Sequence, residues 1–495
     1  MRLFSLLLSG LTLGGCVLAP QGTKDEESRL AQMNRYQQRF EQRALPDIPI
    51  NPDWHDVLHR AFYANGDLEA SYFEWSAAMA RIPQQATWPN TNVMLSFEYM
   101  FSSEKMKSWD RTTVTGGFDP AKSLQLPMKP MKSGEVALAS ARSAGEKFRA
   151  AKFDLQKKVL SQWYDYVLTA ERIRIQQNNL DLLKLLVDTA AARVQAGGQQ
   201  QDLLKAQIEY RLSQNELQDM QAELPQMRAM LNAMIARSPD AELQPPPSLP
   251  ASRDIALPDD VLLQAGFDRI PKLASLERDV ETRKYSLERA RMEFIPDINP
   301  MAGFTGSISQ FAGASVMLPT TIPIIQGMIK ESESMLKSSE AMARQARQDF
   351  SGQYVATLYA LRNNERQIHL LTHQILPAAE QLLGSSRQAY STGSVGFADL
   401  IDSQRTLLQV REQIAQARIA REKRLVELES LAGVDLETLT SLSPVLGGEG
   451  RGEGPSSESE ARSVDQAAAP HPNPLPRVQG RGDQSVPHHN EANHD

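Results

Sequence analysis

Between Pro52 and Gly433 the chain writes one pattern twice, and this duplication limits its fold more than any other feature. The first copy opens with a helical stretch of roughly 30 residues from Trp54, and the second opens near Pro258. Each ends in Pro-Asn/Asp punctuation: Trp88-Pro89-Asn90-Thr91-Asn92, and Ile295-Pro296-Asp297-Ile298-Asn299. Alternating residues follow. Val93, Leu95, Phe97, Tyr99 and Phe101 oppose Ser96, Glu98 and Ser102, while Ala302, Phe304 and Ile308 oppose Thr305, Ser307 and Ser309. Such alternation predicts strands. A second strand is expected at Leu124-Gln125-Leu126-Pro127 with Pro130 to Gly134, matched by Val316-Met317-Leu318-Pro319 with Pro323 to Gly327.

Long helix-compatible stretches come next, Gly134 to about Ala196 and Gly327 to about Tyr390. A glycine-bearing break follows each, at Gly197-Gly198 and at Gly393 and Gly396, and the chain returns as helix over about 203–236 and 399–432. Apolar spacings alternating three and four (Leu217, Met220, Leu224, Met227, Leu231, Met234; Leu407, Val410, Ile414, Ala417) mark coiled-coil seams. Pro225 and Pro377 are expected to kink or break their helices. A helix of about 60 residues is about 90 Å long, so each copy reads as antiparallel rods with a β-hairpin near one end. The expected class is mainly α with a small β part, built of two tandem helical-hairpin repeats and elongated rather than compact.

The ends read differently. Met1-Arg2 and the apolar Leu3 to Leu13 are too short to span a bilayer and suit an export signal. Leu13-Gly14-Gly15-Cys16 resembles a bacterial lipobox, which would make Cys16, the single cysteine, the acylated first residue of the mature chain; an ordinary export signal with an incidental cysteine is the alternative. Val17 rather than Asp follows, so the motif gives no inner-membrane retention signal. The expected divisions are a signal peptide at 1–15, an acylated lead-in at 16–51 with a helix near Glu26 to Leu45, repeats at 52–237 and 258–442, a Pro-rich linker at 238–257, and a disordered tail at 443–495.

Composition removes several function classes. Among 495 residues, 53 Lys plus Arg face 60 Asp plus Glu, a net charge of −7 that offers nucleic acid no broad basic surface. One cysteine excludes an intramolecular disulfide and any multi-cysteine metal site. No phosphate loop, nucleophile elbow or triad pattern is present, so no cofactor or enzymatic activity is expected. Beyond Leu18 no apolar run is long enough for a spanning helix, which leaves a closed β-barrel as the one route through a membrane. Four strands cannot close a barrel. They must pair across subunits, with lipid on the apolar face and water on the other, or rest as soluble hairpins on helices.

Ile375-Leu376-Pro377-Ala378-Ala379-Glu380-Gln381, followed by Tyr390-Ser391-Thr392-Gly393-Ser394-Val395-Gly396-Phe397-Ala398-Asp399-Leu400-Ile401-Asp402-Ser403-Gln404-Arg405, resembles the last hairpin of TolC-family outer-membrane efflux proteins. Gly197 and Asp202-Leu203-Leu204-Lys205-Ala206-Gln207 echo it in the first copy. The resemblance covers about 52–433. It implies a homotrimer with one shared 12-stranded β-barrel in outer-membrane lipid and an α-helical barrel across the periplasm. It also implies a periplasmic adaptor and an inner-membrane pump as partners, with the chain lipid-anchored in the outer membrane as a passive exit duct for efflux or type I secretion. The alternative is a periplasmic coiled-coil structural lipoprotein or adaptor without a pore.

The resemblance also assigns roles to residues. Asp399 and Asp402, neighbours on one helix face, correspond to aspartate rings at the periplasmic constriction; two solvated helix carboxylates are the plain alternative. Tyr390 and Asp202 stand where some members latch the closed tip, but Val395 replaces the arginine those members carry, so a salt-bridged latch is not expected. Gly197, Gly198, Gly393, Val395, Gly396 and Phe397 form turns the family presents to the adaptor, although turn chemistry alone accounts for them. The Gly-x-Val-x-Phe version resembles members partnered with heavy-metal pumps; the cargo itself is not named by the sequence. His55 with His59, and His369 with His373, have metal-compatible spacing but read as solvated helix faces. Met100, Met106, Met128 and Met131 could suit Cu(I) or simply fill gaps, and His471, His488, His489 and His494 are a weak compositional signal in the tail. No metal site is expected.

Overall fold

The computed structural model describes residues 18–87, 93–101, 105–118, 125–253, 255, 258–260, 262–263 and 270–434. The export signal, Cys16 and the tail lie outside these residues, as do parts of the first strand-turn region.

After a short α1 (Thr23–Gln32), α2 (Trp54–Ala64) and α3 (Gly66–Gln85) lead to β1 (Val93–Tyr99) and β2 (Thr112–Phe118). Then come α4 (Met128–Gln195) and α5 (Gln200–Met234). The second half repeats the order: α6 (Pro271–Arg291), β3 (Asp297–Thr305), β4 (Ser309–Met317), α7 (Ile322–Leu370), a π turn (Leu371–Ile375), α8 (Leu376–Thr392) and α9 (Phe397–Ala432).

Several expectations need correction. The single helix from Trp54 is two, because Asn65 leaves helical geometry and its side chain caps α3, accepting from the Asp67 and Leu68 amides. An Asp53/Asp56 capping box opens α2. The lead-in helix stops at Gln32 and continues as short 3₁₀ turns at 34–37 and 40–42. The second strand of the first copy is Thr112–Phe118, and Pro130 to Gly134 already belongs to α4; likewise Pro323 to Gly327 lies in α7. Proline within the first turn of a helix costs little, which is why these prolines open helices instead of punctuating strands.

The four strands form one antiparallel sheet in the order β1-β2-β3-β4, so β2 and β3 join the two halves. Its register sorts most side chains by polarity, although Met94, Met301 and Phe311 fall with the polar set and Gln310 with the apolar one. Phe97 pairs with Val114, Val114 with Phe304, Leu95 with Gly116, and Gly116 with Ala302, which puts Leu95, Phe97, Val114, Ala302 and Phe304 on one face. Ser96, Glu98, Thr113, Thr115, Asn299 and Thr305 fall on the other, where the Thr113 and Thr305 hydroxyls meet at 3.0 Å. Ile308, expected on the apolar face, lies in the β3–β4 turn.

The helices pack antiparallel over long distances. Ser430 Oγ donates to the Phe153 carbonyl, Gln404 reaches Asn179, and Arg193 reaches Tyr390, so α4 runs in steady register along α9 and the turn before it. Lys132 with Glu288 and Ser143 with Asp279 tie α4 to α6, while Arg291 with Glu333 and Arg347 with Glu277 tie α6 to α7. α5 passes Pro225 without interruption, whereas the π turn ends two residues before Pro377, which has no amide for the ladder.

A large core gathers Tyr72, Trp75, Phe148, Trp163, Tyr164 and Tyr166 where α2, α3, α4 and α9 meet. The Pro-rich 238–253 stretch is strapped onto it: Tyr166 donates to the Leu243 carbonyl at 2.6 Å, and Arg253 contacts Glu422 and both Glu429 oxygens at 3.0–3.1 Å. No helix among the described residues is long and apolar enough to cross a membrane.

Candidate functional site

The turns α4–α5 and α8–α9 lie side by side at one end of the helical packing. Both α4 and α8 close in the same way. Gly198 N–H donates to the Arg193 carbonyl at 2.8 Å and Gly197 N–H to Val194 at 3.0 Å; Ser394 donates to Ala389 at 2.9 Å and Gly393 to Tyr390 at 3.1 Å. Gly197 and Gly393 adopt left-handed φ of +92° and +80°, which an L side chain would strain.

A second core holds the two turns together. Leu183, Leu186 and Ala190 of α4, Ala206 of α5, Leu383 and Tyr390 of α8, and Phe397, Leu400 and Ile401 of α9 bury one another. Ser386 and Ser403 hydroxyls meet at 2.7 Å, and Arg405 grips Glu209 at 2.6 and 2.9 Å. A bidentate arginine–carboxylate pair of this kind fixes orientation as well as distance.

Tyr390 is the hub and only 1% exposed. Its hydroxyl donates to Asp202 Oδ2 at 3.4 Å, a long hydrogen bond, and its ring meets Phe397 edge-on at 5.6 Å. Arg193 covers the other side: its guanidinium carbon is 4.4 Å from the ring centroid, and Nη1 donates to the Tyr390 carbonyl at 2.9 Å. Burial, and then the Asp202 carboxylate, push the phenol pKa up against the opposing pull of Arg193. With Val395 in place of an arginine, the sequence offered no cation for this tyrosine; the structure supplies one from the first copy. Its position four residues before Gly197 was the available signal, since a helix-ending arginine can reach across a short turn.

Asp399 and Asp402 point away from this core. Phe397, Leu400, Ile401, Ser403 and Gln404 form the buried face of α9, and both aspartates are exposed on the opposite one, with Arg405 4.0 Å from Asp402. Gly396 is the extended N-cap of α9, and Val395 is half-buried beside it.

The remaining candidates separate. Met100 follows the end of β1 that pairs with Thr112, whereas Met128 and Met131 begin α4 beyond the opposite end of the strands, so these thioethers do not converge. His55 stacks on Trp54 and His59 packs on Tyr63, but His369 and His373 meet with ring centroids 4.7 Å apart. Among the described residues there is no group of three or more His, Cys, Asp or Glu able to hold a metal ion.

Residues 262–434, which contain this turn and both helices around it, match the family described as outer membrane efflux protein. The second half of the chain is similar to that family. The chain is 23% identical over 269 residues to the cobalt-zinc-cadmium resistance protein CzcC of Cupriavidus metallidurans, covering 52% of this chain and 62% of that relative. It is 21% identical over 390 residues to the alkaline protease secretion protein AprF of Pseudomonas aeruginosa, covering 69% and 78%. The open state of the Neisseria gonorrhoeae MtrE outer membrane channel superposes with a TM-score of 0.63 at 17% identity, covering 78% of this chain and 90% of that one. The match to CzcC therefore stops short of two thirds of that relative's length, while the fold shared with MtrE spans 78% of this chain.

Proposed function

We propose that this protein is the outer-membrane exit duct of a tripartite efflux or type I secretion system, a passive channel without catalytic chemistry. The two-faced sheet with two free edges carries this reading. Leu95 and Phe97 are 63% and 71% exposed on its apolar face, with Tyr99 beside them, while the opposite face is largely hydroxyl, amide and carboxylate. Apolar-out, polar-in alternation is what a barrel wall in lipid requires, and an open sheet edge in lipid leaves backbone groups unsatisfied. Three copies joined edge to edge satisfy β1 and β4 and give a closed barrel of twelve strands, within the range such barrels span.

On this reading the chain is a homotrimer, anchored through acylated Cys16 and extending helices into the periplasm. The first repeat ends near 237, the Pro-rich 238–257 linker separates it from the second, and 443–495 is a tail. The adjacent turns carrying Gly197, Gly198, Gly393, Val395, Gly396 and Phe397 face the periplasmic adaptor, which links them to an inner-membrane pump. Asp399 and Asp402 line the narrow mouth, and Tyr390 with Asp202 and Arg193 holds it shut. The relatives' names cover a cation-resistance protein and a protease-secretion protein, so the partner pump sets the cargo.

Purified protein in detergent, reconstituted in planar bilayers, tests the duct. Heat-resistant trimers with discrete ion conductance are expected. Monomers that do not conduct would instead establish a periplasmic spacer.

A further inference from the structure

His369 and His373 straddle the junction of α7 and the π turn, and both are exposed. In an α-helix, residues four apart share a face, yet imidazoles at that spacing need not meet. Here they do, with ring centroids 4.7 Å apart and planes inclined at 51°. The π turn explains the approach. Leu376 N–H donates to the Leu371 carbonyl, one residue further back than in an α-helix, so the wider turn changes how successive side chains stack.

The separation has chemical meaning. With metal–nitrogen bonds of about 2.0–2.1 Å, an imidazole centroid lies about 3.2 Å from a bound ion. Two centroids 4.7 Å apart then subtend close to a right angle at a shared ion, the cis edge of a tetragonal site. His55 and His59 have the same spacing but are engaged by Trp54 and Tyr63. Glu365, one further turn back on the His369 face, is held by Arg362 and Arg421, which leaves a two-imidazole site completed by water.

We propose that His369 and His373 form a two-imidazole binding site for a divalent transition ion of the Cu(II) type, clamped across the α7–π junction. Stoichiometry and ligand set do not depend on the protein being a duct. A bound ion would also tie together a stretch whose backbone ladder is already altered beside Pro377.

The test is titration of the tag-free full chain in detergent with Cu(II), read by calorimetry and by nitrogen hyperfine structure in electron paramagnetic resonance. About one ion per chain with two coordinating nitrogens is expected. His369→Ala and His373→Ala should each weaken binding about tenfold by removing one arm of the chelate, and a second set, His369→Gln and His373→Gln, should do the same. Replacing His471, His488, His489 and His494 by alanine should leave affinity and spectrum unchanged. Wild-type affinity in the His369→Ala/His373→Ala double variant, or one-nitrogen spectra in the wild type, would overturn the site. Far-UV circular dichroism confirms folding of each variant, since both side chains are exposed.

Discussion

The guanidinium of Arg193 lies 4.4 Å from the centre of the Tyr390 ring and donates to the same residue's carbonyl, joining the turns of the two repeats within one chain. A half-buried cation over an aromatic face contributes about 0.5–2 kcal/mol, and together with the 2.9 Å hydrogen bond to the Tyr390 carbonyl this outweighs the long 3.4 Å phenol–Asp202 hydrogen bond. Arg193→Ala should therefore raise single-channel conductance or open probability in planar bilayers clearly, and Tyr390→Phe only slightly. Arg193→Lys should fall between, because it keeps the charge but loses the flat stacking surface. An equal response to Tyr390→Phe and Arg193→Ala would place the constraint at Asp202 instead.

The sheet predicts a face-dependent response to charge. Phe97→Arg puts a guanidinium on the apolar face, where lipid burial would cost about 2–4 kcal/mol near the membrane midplane. The amount of heat-resistant trimer in outer-membrane fractions should drop sharply. Ser96→Arg, one residue away on the opposite face, should assemble normally and change ion selectivity. Equal tolerance of the two substitutions would remove lipid from the apolar face.

Periodicity made much of this architecture legible, because helices this long and strands this alternating leave few other arrangements. The second strand escaped. Thr112-Thr-Val-Thr-Gly-Gly-Phe118 carries two glycines and no apolar alternation, and only its pairing with β1 and β3 makes it a strand. The break at Asn65 depends on a cap that a continuous apolar pattern hides. Glycine turns, Tyr390 and Asp202 could be found locally, but Arg193 acts across 197 positions of sequence. Such a partner becomes visible only once α4 and α8 are side by side. Arg253 was missed for the same reason, since a Pro-rich stretch gives no hint that it straps onto α9.

Four helix ends use one capping pattern, and one of them lacks the residue it favours. α4, α8 and α9 end on left-handed Gly197, Gly393 and Gly433, but after α5 the left-handed position is Ala236, at φ +49°. Arg237 N–H still donates to the Asn232 carbonyl at 2.9 Å, so the cap is formed against the cost of a Cβ. Ala236→Gly should stabilise the protein by about 0.5–1 kcal/mol after the entropy of glycine is counted. A higher denaturant midpoint with an unchanged m-value is the expected result.

The two aspartates on the exposed face of α9 give a cation prediction. Six carboxylates around a narrow mouth would attract and retain divalent ions. Asp399→Ala with Asp402→Ala should raise conductance and weaken block by divalent cations in reconstituted bilayers, leaving trimer stability within about 0.5 kcal/mol because both side chains are solvated. Unchanged conductance and block would return them to the role of ordinary surface carboxylates.

Beneath the Pro-rich strap, burial pushes the Glu429 carboxyl up to about 7 despite its contacts with Arg253, which is itself shared with Glu422. An unfolded glutamate titrates near 4.3, so between about pH 4.3 and 7 the folded chain binds more protons at this position than the unfolded one. The contribution of Glu429 to stability is therefore greatest at the acid side and falls as pH rises through 7. Its span is about 3–4 kcal/mol. Glu429→Gln removes this titration while keeping a hydrogen-bond acceptor for Arg253. The difference in unfolding midpoint between wild type and variant should move in the variant's favour from about pH 5 to pH 7 and level off above it. A difference that stays flat over that range would mean that Arg253 keeps Glu429 ionised throughout.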